Sequence, residues 1–392
     1  MSYLISNLFM IEYNMKKINF TSETKTMSEI PNNNPQANTE KFRHLREISR
    51  RPEFSSLNSR KTIFDITLTL SILIVCTLGA TINDYFFILN ILLLPPLYLR
   101  LFCLGHEAAH TLISRNRALN DFVGLVSYGI ILMPFYGWRA GHLNHHMHTD
   151  HPVKEEYGPV SVFRLLTRRG PNPKNSSKYS TIKNGLIKFS KIVWKSSLYD
   201  IGLWRSYSSP KGTLRRKFKR KESYILNIAF PTFFWALYIG ATILSPLYAI
   251  VGIWIPQLIG HIIINTLGFL NHQDIGNRIS YNYHSNREKS AHETIDVDYG
   301  FLNWFTMYAG GPEHTMHHLL PQVPWYNLRK LREAAASEGA EVDRHLAASK
   351  AWVVMWQILM SRFSLTRISD GYKIVRNPEV ESKNSEYGHA DG

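Results

Sequence analysis

The chain has 392 residues, with 45 Lys and Arg against 30 Asp and Glu and a formal net charge of +15 at pH 7, a length that suits one large domain or two small ones. Such charge fits anionic lipid head groups or acidic proteins; nucleic acid is not an expected partner, because the basic residues flank apolar stretches and no nucleic-acid-binding motif occurs. Cys76 and Cys103 are the only cysteines and both lie in apolar runs, which excludes a disulfide scaffold, a Cys-ligated zinc ribbon and an iron–sulfur centre.

Residues 1–61 are polar, with Ser22–Glu40 rich in Asn, Ser, Thr and Pro, and read as a disordered tail. Met1–Met15 lacks the basic start and cleavage site of a signal peptide. Ile66–Ile82 and Tyr85–Leu104 are apolar runs on the scale of a membrane crossing. Only Asn83 and Asp84 separate them, which predicts a tight helical hairpin. Pro95 and Pro96 should kink its second helix, and Arg100 should snorkel to the interface. Phe122–Phe135 is apolar but short, so it is expected to lie in the interface or re-enter.

Ile182, Leu186, Phe189 and Val193 share one helical face, the pattern of a helix lying on an anionic membrane surface or packed on the rest of the protein. Tyr224–Leu244 and Leu247–Leu270, joined by Ser245-Pro246, form a second predicted hairpin. Trp352–Met360 is too short to span and reads as an interfacial or core helix; residues 366–392 read as a polar tail. None of the 45 Lys and Arg falls in either hairpin turn. The positive-inside rule then puts both termini in the cytoplasm. The expected fold is an all-α integral membrane protein over 62–365. Four transmembrane helices in two hairpins would carry a cytoplasmic helical cap, with a bacterial inner membrane favoured over the endoplasmic reticulum.

The chemistry lies in three histidine boxes. His106-Glu107-Ala108-Ala109-His110 places imidazoles at i and i+4. His142-Leu143-Asn144-His145-His146 and His314-Thr315-Met316-His317-His318 place them at i, i+3 and i+4, positions that share a helix face. A lone histidine is usually a hydrogen-bonding residue, and His44, His345 and His389 are read so. Eight histidines at helix-face spacing on one side of the membrane are read instead as ligands of a metal pair. Imidazole suits zinc, copper, iron and nickel. Zinc sites need only three or four protein ligands, so eight nitrogens favour two ions of higher coordination, with iron the natural redox candidate. A competing reading takes His106, Glu107 and His110 as a zinc-peptidase motif with Glu107 as base, but it leaves the other two boxes idle. A metal-ion transporter would carry its ligands at the bilayer midplane in broken helices, whereas these boxes flank the apolar runs.

With the boxes in view, the chain resembles the membrane fatty acid desaturase family over about Arg100 to Leu331. His314–Pro321, followed by Val323-Pro324-Trp325-Tyr326-Asn327-Leu328, is similar to the family's third box and the turn after it. Trp138-Arg139, His142–His146 and Thr149 are similar to the second box with its flanks. Thr294–Gly300 is similar to a stretch upstream of the third box in acyl-lipid members. The resemblance implies a cytoplasmic centre of two iron ions cycling between Fe2+ and Fe3+, and O2 as co-substrate. It also implies a ninth ligand, His272, from the loop after the fourth span. The implied ligand set is His106, His110, His142, His145, His146, His272, His314, His317 and His318, with no catalytic residue beyond it.

Glu107, Asp150, Asp296 and Asp298 are candidates to accept the outer N–H of ligating imidazoles. The implied reaction puts a double bond into a fatty acyl chain of membrane lipid; a hydroxylase or ketolase acting on a lipid, carotenoid or other hydrocarbon chain would use the same ligands. Nothing in the sequence binds flavin or haem, so electrons come from a separate donor, a ferredoxin or cytochrome b5-like protein with its reductase. No His-Pro-Gly-Gly segment of a fused cytochrome b5 occurs. Ligation needs neutral imidazole, so activity is expected to fall as pH drops through the histidine range.

Overall fold

The computed structural model describes residues 35–82, 85–149, 187, 190, 221–272, 278–280, 294–340, 342, 345–347, 363–368 and 371–376. Four of its helices are long and apolar enough to cross a membrane. They lie where the apolar runs predict: α3 at Ser59–Ile82, α4 at Tyr85–Ala109, α7 at Lys221–Leu244, and a composite of α8, Pro246–Ala249, and α9, Ile255–Leu270, joined by a π-helical turn at Ile250–Trp254. At 1.5 Å per residue each extends beyond the roughly 30 Å of a hydrocarbon core. Their outer faces expose Ile63, Ile74, Leu78, Ile88, Leu92, Phe233, Ile243 and Leu258, the side chains a lipid solvent would cover.

Helix α4 is the central element. It runs through Pro95 and Pro96 without ending, and Leu94, Leu97, Tyr98, Leu101 and Leu104 along it are buried. Arg100 does not snorkel. Its side chain is fully buried, with Nη2 2.9 Å from Asp65 Oδ1 and Nε donating to Thr69 Oγ1 at 2.9 Å. It also donates to the Trp304 carbonyl and lies 3.6 Å from the centre of the Trp304 ring. A fully paired guanidinium has no reason to reach for water, so Arg100 ties α3, α4 and the 300–304 turn together.

The short apolar stretch forms two helices, α5 at Arg117–Ile130 and α6 at Phe135–His148, whose axes differ by 105°. Asn116 caps α5 by accepting the N–H groups of Ala118 and Leu119. Residues 35–55, read from composition as part of a disordered tail, are helical instead: α1 at Pro35–Ser49 and α2 at Pro52–Ser55. Phe42, Leu45, Ile48 and Phe54 are buried, and Asn327 donates to the Phe54 carbonyl at 2.9 Å. The average polarity of the segment concealed this apolar stripe.

The described residues are mostly helical but not all-α. A three-stranded antiparallel sheet joins β1 (Arg278–Ser280), β5 (Gly371–Arg376) and β4 (Phe363–Ile368), with β5 in the middle; β2 (Asp296–Asp298) pairs in parallel with β3 (His345–Ala347). Strands β4 and β5 thus occupy part of the expected C-terminal tail. The chain then runs through a short helix, α10, at His314–Leu319 and ends the site region with α11 at Trp325–Ser337. The expected helices over Ile182–Val193 and Trp352–Met360 lie outside the described residues, apart from Ile187 and Ser190.

Candidate metal centre

Each histidine box sits at or near the end of a helix. His106 belongs to the last turn of α4 and His110 follows it; His142, His145 and His146 lie on α6; His314, His317 and His318 lie on α10. His272 follows α9 directly. The fold brings these four regions, separated by up to two hundred residues of chain, to one place.

Five side chains, His106, His110, His142, His146 and His317, offer donor atoms all within 4.8 Å of one another, and His145, His272 and His318 form a second such group. His314 joins the second group, its Nε2 3.0 Å from His272 Nε2. The groups touch: the rings of His146 and His318 are 4.3 Å apart between centres, and those of His145 and His318 are 5.0 Å apart. All nine predicted ligands are therefore in the cluster, including His272.

The donor chemistry fits metal ions. His142 Nε2 faces His110 Nε2 at 2.9 Å and His146 Nε2 at 3.0 Å, and His146 Nε2 faces His317 Nε2 at 3.1 Å. A neutral imidazole carries one N–H, so ring nitrogens crowd together here with too few protons to bridge them all. The outer Nδ1 atoms of His146, His272 and His317 are buried without a hydrogen-bond partner. These separations of 2.9, 3.0 and 3.1 Å are those of adjacent ligands at bond lengths of about 2 Å around an ion. Burial is the first cause that holds the imidazoles of His272, His317 and His318 well below their ordinary pKa, with neighbouring imidazoles adding to it, and burial brings His314 down to about 3. Neutral nitrogen is the form that binds a metal.

Packing around the ligands fixes their orientation. Trp138 stacks on His142 at 4.3 Å and 17° and itself packs edge-on against Phe102 and Tyr128. His314 Nδ1 donates to the Ala309 carbonyl at 2.8 Å. Next to His272, Asn271 donates to the carbonyls of Ile295 and Gly311, both at 3.3 Å, and accepts the Tyr299 hydroxyl at 2.9 Å. That network joins the end of α9 to the segment leading into the third box. Neither Asn271 nor Tyr299 is singled out by the sequence, although Tyr299 lies within the Thr294–Gly300 stretch that carries the resemblance and Asn271 directly precedes His272.

The four candidate carboxylates fare differently. Glu107 is buried, with Oε1 3.3 Å from His106 Nδ1 and Oε2 accepting the Trp325 N–H at 3.2 Å. The carboxylate thus lies behind His106, beside the Nδ1 it was expected to serve, but Oε1 makes no hydrogen bond there. Asp296 is buried too, but its Oδ1 accepts the backbone N–H of Thr315 at 2.6 Å; it caps α10, whose own N-cap residue, Glu313, makes no capping bond. Asp298 Oδ1 accepts from Gly300 N and Asn303 Nδ2 at 2.8 and 2.6 Å, bonds that form a turn. Asp150 lies outside the described residues.

A buried carboxylate that the sequence does not single out is Glu313. Burial raises it to about 7 against the pull of Arg332 and Arg329, and burial likewise raises Asp296 to about 7. Arg332 lies 3.0 Å from Glu313 Oε1 and 3.9 Å from Asp296 Oδ2, so one guanidinium serves both acids beneath the third box.

The peptidase reading fails on this geometry, since His106 and His110 share their site with imidazoles from both other boxes and Glu107 is engaged by His106 and Trp325. Comparison with known proteins agrees. The family model described as fatty acid desaturase matches residues 85–349, a range that contains all nine histidines. Similar curated proteins include an sn-2 acyl-lipid omega-3 desaturase (ferredoxin), chloroplastic, of Helianthus annuus, 28% identical over 245 residues, covering 60% of this chain and 52% of that one. An acyl-lipid omega-3 desaturase (cytochrome b5), endoplasmic reticulum, of Arabidopsis thaliana is 26% identical over 243 residues, covering 61% of each. An sn-1 oleoyl-lipid 12-desaturase of Arthrospira platensis is 27% identical over 284 residues, covering 68% of this chain and 73% of that one. The chain spans about half the length of the chloroplast relatives it matches. With its match running through every histidine of the cluster, the chain belongs to the fatty acid desaturase family.

Proposed function

We propose that the protein is a membrane-bound, O2-dependent desaturase that introduces a double bond into the acyl chain of a membrane lipid, using two iron ions. The observation that carries this reading is the pair of touching groups of imidazoles, buried or half-buried, whose ring nitrogens converge. His106, His110, His142, His146 and His317 would hold one ion, and His145, His272, His314 and His318 the other. Bound there, the iron pair supplies the oxygen-dependent oxidation of an unactivated alkyl carbon, a step outside the reach of side-chain acid–base chemistry.

The chain's own residues do the rest. Burial keeps the imidazoles of His272, His314, His317 and His318 unprotonated, Glu107 stands 3.3 Å from His106 Nδ1, the Ala309 carbonyl holds His314, and Trp138 stacks on His142. The apolar groups around them, Leu104, Ala108, Met316 and Leu319, limit water beside the centre. Electrons come from a separate donor; the names of similar proteins include both ferredoxin and cytochrome b5, and a basic chain favours an acidic docking partner. Charge placement supports two helical hairpins with the termini and the metal centre on the cytoplasmic side.

The test is mass spectrometry of lipids from cells expressing the chain beside its His317→Ala variant. Acyl chains two hydrogens lighter, absent with the variant, are expected. Acyl chains that gain oxygen would replace desaturation by hydroxylation, and identical lipids in both cultures would overturn the proposal.

A further inference from the structure

We infer that four polar side chains of the apolar helices α7 and α9, Asn227, Tyr238, Gln257 and His261, are positioning residues: they cap the corner between α5 and α6 and so set where the imidazoles of α6 stand.

A helix end leaves backbone groups without partners, and between apolar helices no water is at hand to take them. The corner at residues 130–137 has this problem on both sides. At the end of α5, Leu132 takes a left-handed conformation (φ 58°), and the N–H groups of Leu132 and Met133 return to the carbonyls of Gly129 and Tyr128 at 2.9 and 2.8 Å. The next two carbonyls are met from outside. Tyr238 Oη and Gln257 Nε2 donate to Ile130 O at 2.8 and 2.6 Å, and His261 Nε2 donates to Ile131 O at 2.8 Å. At the start of α6, Pro134 stands at the N-cap and makes no side-chain bond; Asn227 Oδ1 accepts the Gly137 N–H at 2.9 Å instead.

Ile131, Asn227 and Gln257 are buried. Polar groups inside apolar helices commonly mark a ligand or proton path. Here each of the four side chains bonds the backbone of the corner, and Asn265 bonds the carbonyl of His261 in its own helix at 2.8 Å. His142 follows Gly137 by little more than one turn of α6, so the corner sets the height and rotation of His142, His145 and His146 in both ligand groups.

The consequence for metal binding rests on the proposed function; the capping geometry does not. The full-length protein and a Tyr238→Phe/Gln257→Met/His261→Leu variant are compared by amide hydrogen exchange and by iron retention against a chelator. Thr77→Val is the control, because the Thr77 hydroxyl donates within its own helix, to Leu73 O at 2.8 Å. The expected result is exchange faster by about tenfold or more across residues 131–140 with α3 unchanged, and iron held ~10–100-fold more weakly, as when partners of metal ligands are removed. Asn227→Leu should speed exchange at Gly137 alone. If the triple variant does not fold, Tyr238→Phe, which leaves Gln257 on Ile130, should give the same pattern at smaller size. Unaltered exchange at the corner, parental iron retention, or an equal effect in Thr77→Val overturns the inference. A parent chain that binds no iron would instead overturn the metal centre, with exchange still deciding the cap.

Discussion

Glu107 places one carboxylate oxygen 3.3 Å from His106 Nδ1 and accepts the Trp325 N–H with the other, so it joins the first box to the helix after the third. Carboxylate partners orient a ligating imidazole and raise its basicity, and their loss typically weakens metal binding ~10–100-fold. Glu107→Gln is expected to lose iron affinity on that scale, measured by chelator competition, while Asp298→Asn keeps it. The difference between these two acids was not legible in the sequence, because both stand near a box and only the folded chain shows which one faces a ring. The histidines were legible because i, i+3 and i+4 spacing is a local property. His272 has no such spacing, and only its resemblance-bearing neighbourhood marked it.

At the scale of elements, the ligand-bearing helices are not self-sufficient. Helix α6 starts on a proline without a cap and α10 on Glu313 without one; Asn227 and Asp296 supply the missing acceptors from elsewhere in the chain. Such dependence is invisible to a reading that seeks capping residues beside each helix. The packing of α4 on α5 depends on a missing side chain. A Cβ at Gly105 would meet the Tyr128 ring at 2.0 Å, and Tyr128 is fully buried. Gly105→Ala, one residue before His106, should therefore displace the first box and lower both thermal stability and iron content. The helical segment before α3 was hidden by its polar average. Leu45 is buried within it, and Leu45→Ala should destabilise its packing by about 2–5 kcal/mol, read as earlier thermal unfolding or faster proteolysis of residues 35–55.

Across the whole molecule, the apolar runs located the four long helices, though α3 begins at Ser59 rather than Ile66 and α4 ends at Ala109 rather than Leu104, since membrane crossing imposes length and composition together. The strands and the trans-capped corner were not readable, because they depend on contacts between distant segments. The buried site also alters the expected pH response. Imidazoles of His272, His314, His317 and His318 have folded pKa values below the unfolded value of about 6.5. Their contribution to stability is complete above that value and is lost as pH falls, because the unfolded chain takes up protons that the folded one refuses. Asp296 and Glu313, raised to about 7, act oppositely: their contribution is present below the unfolded carboxyl value of about 4 and fades as pH rises to about 7. Four imidazoles outweigh two acids, so the thermal midpoint of the metal-free protein should fall between pH 7 and pH 5. Activity of the loaded protein should persist below the ordinary histidine range rather than vanish within it; loss centred near pH 6.5 would contradict the burial argument. The central claim, a two-iron centre held by nine imidazoles, is tested most directly by the metal content of the purified full-length protein. The account predicts two iron ions per chain in the parent and loss of iron in His317→Ala and in His318→Ala, whereas one zinc ion per chain, or iron unaffected by both substitutions, would contradict it.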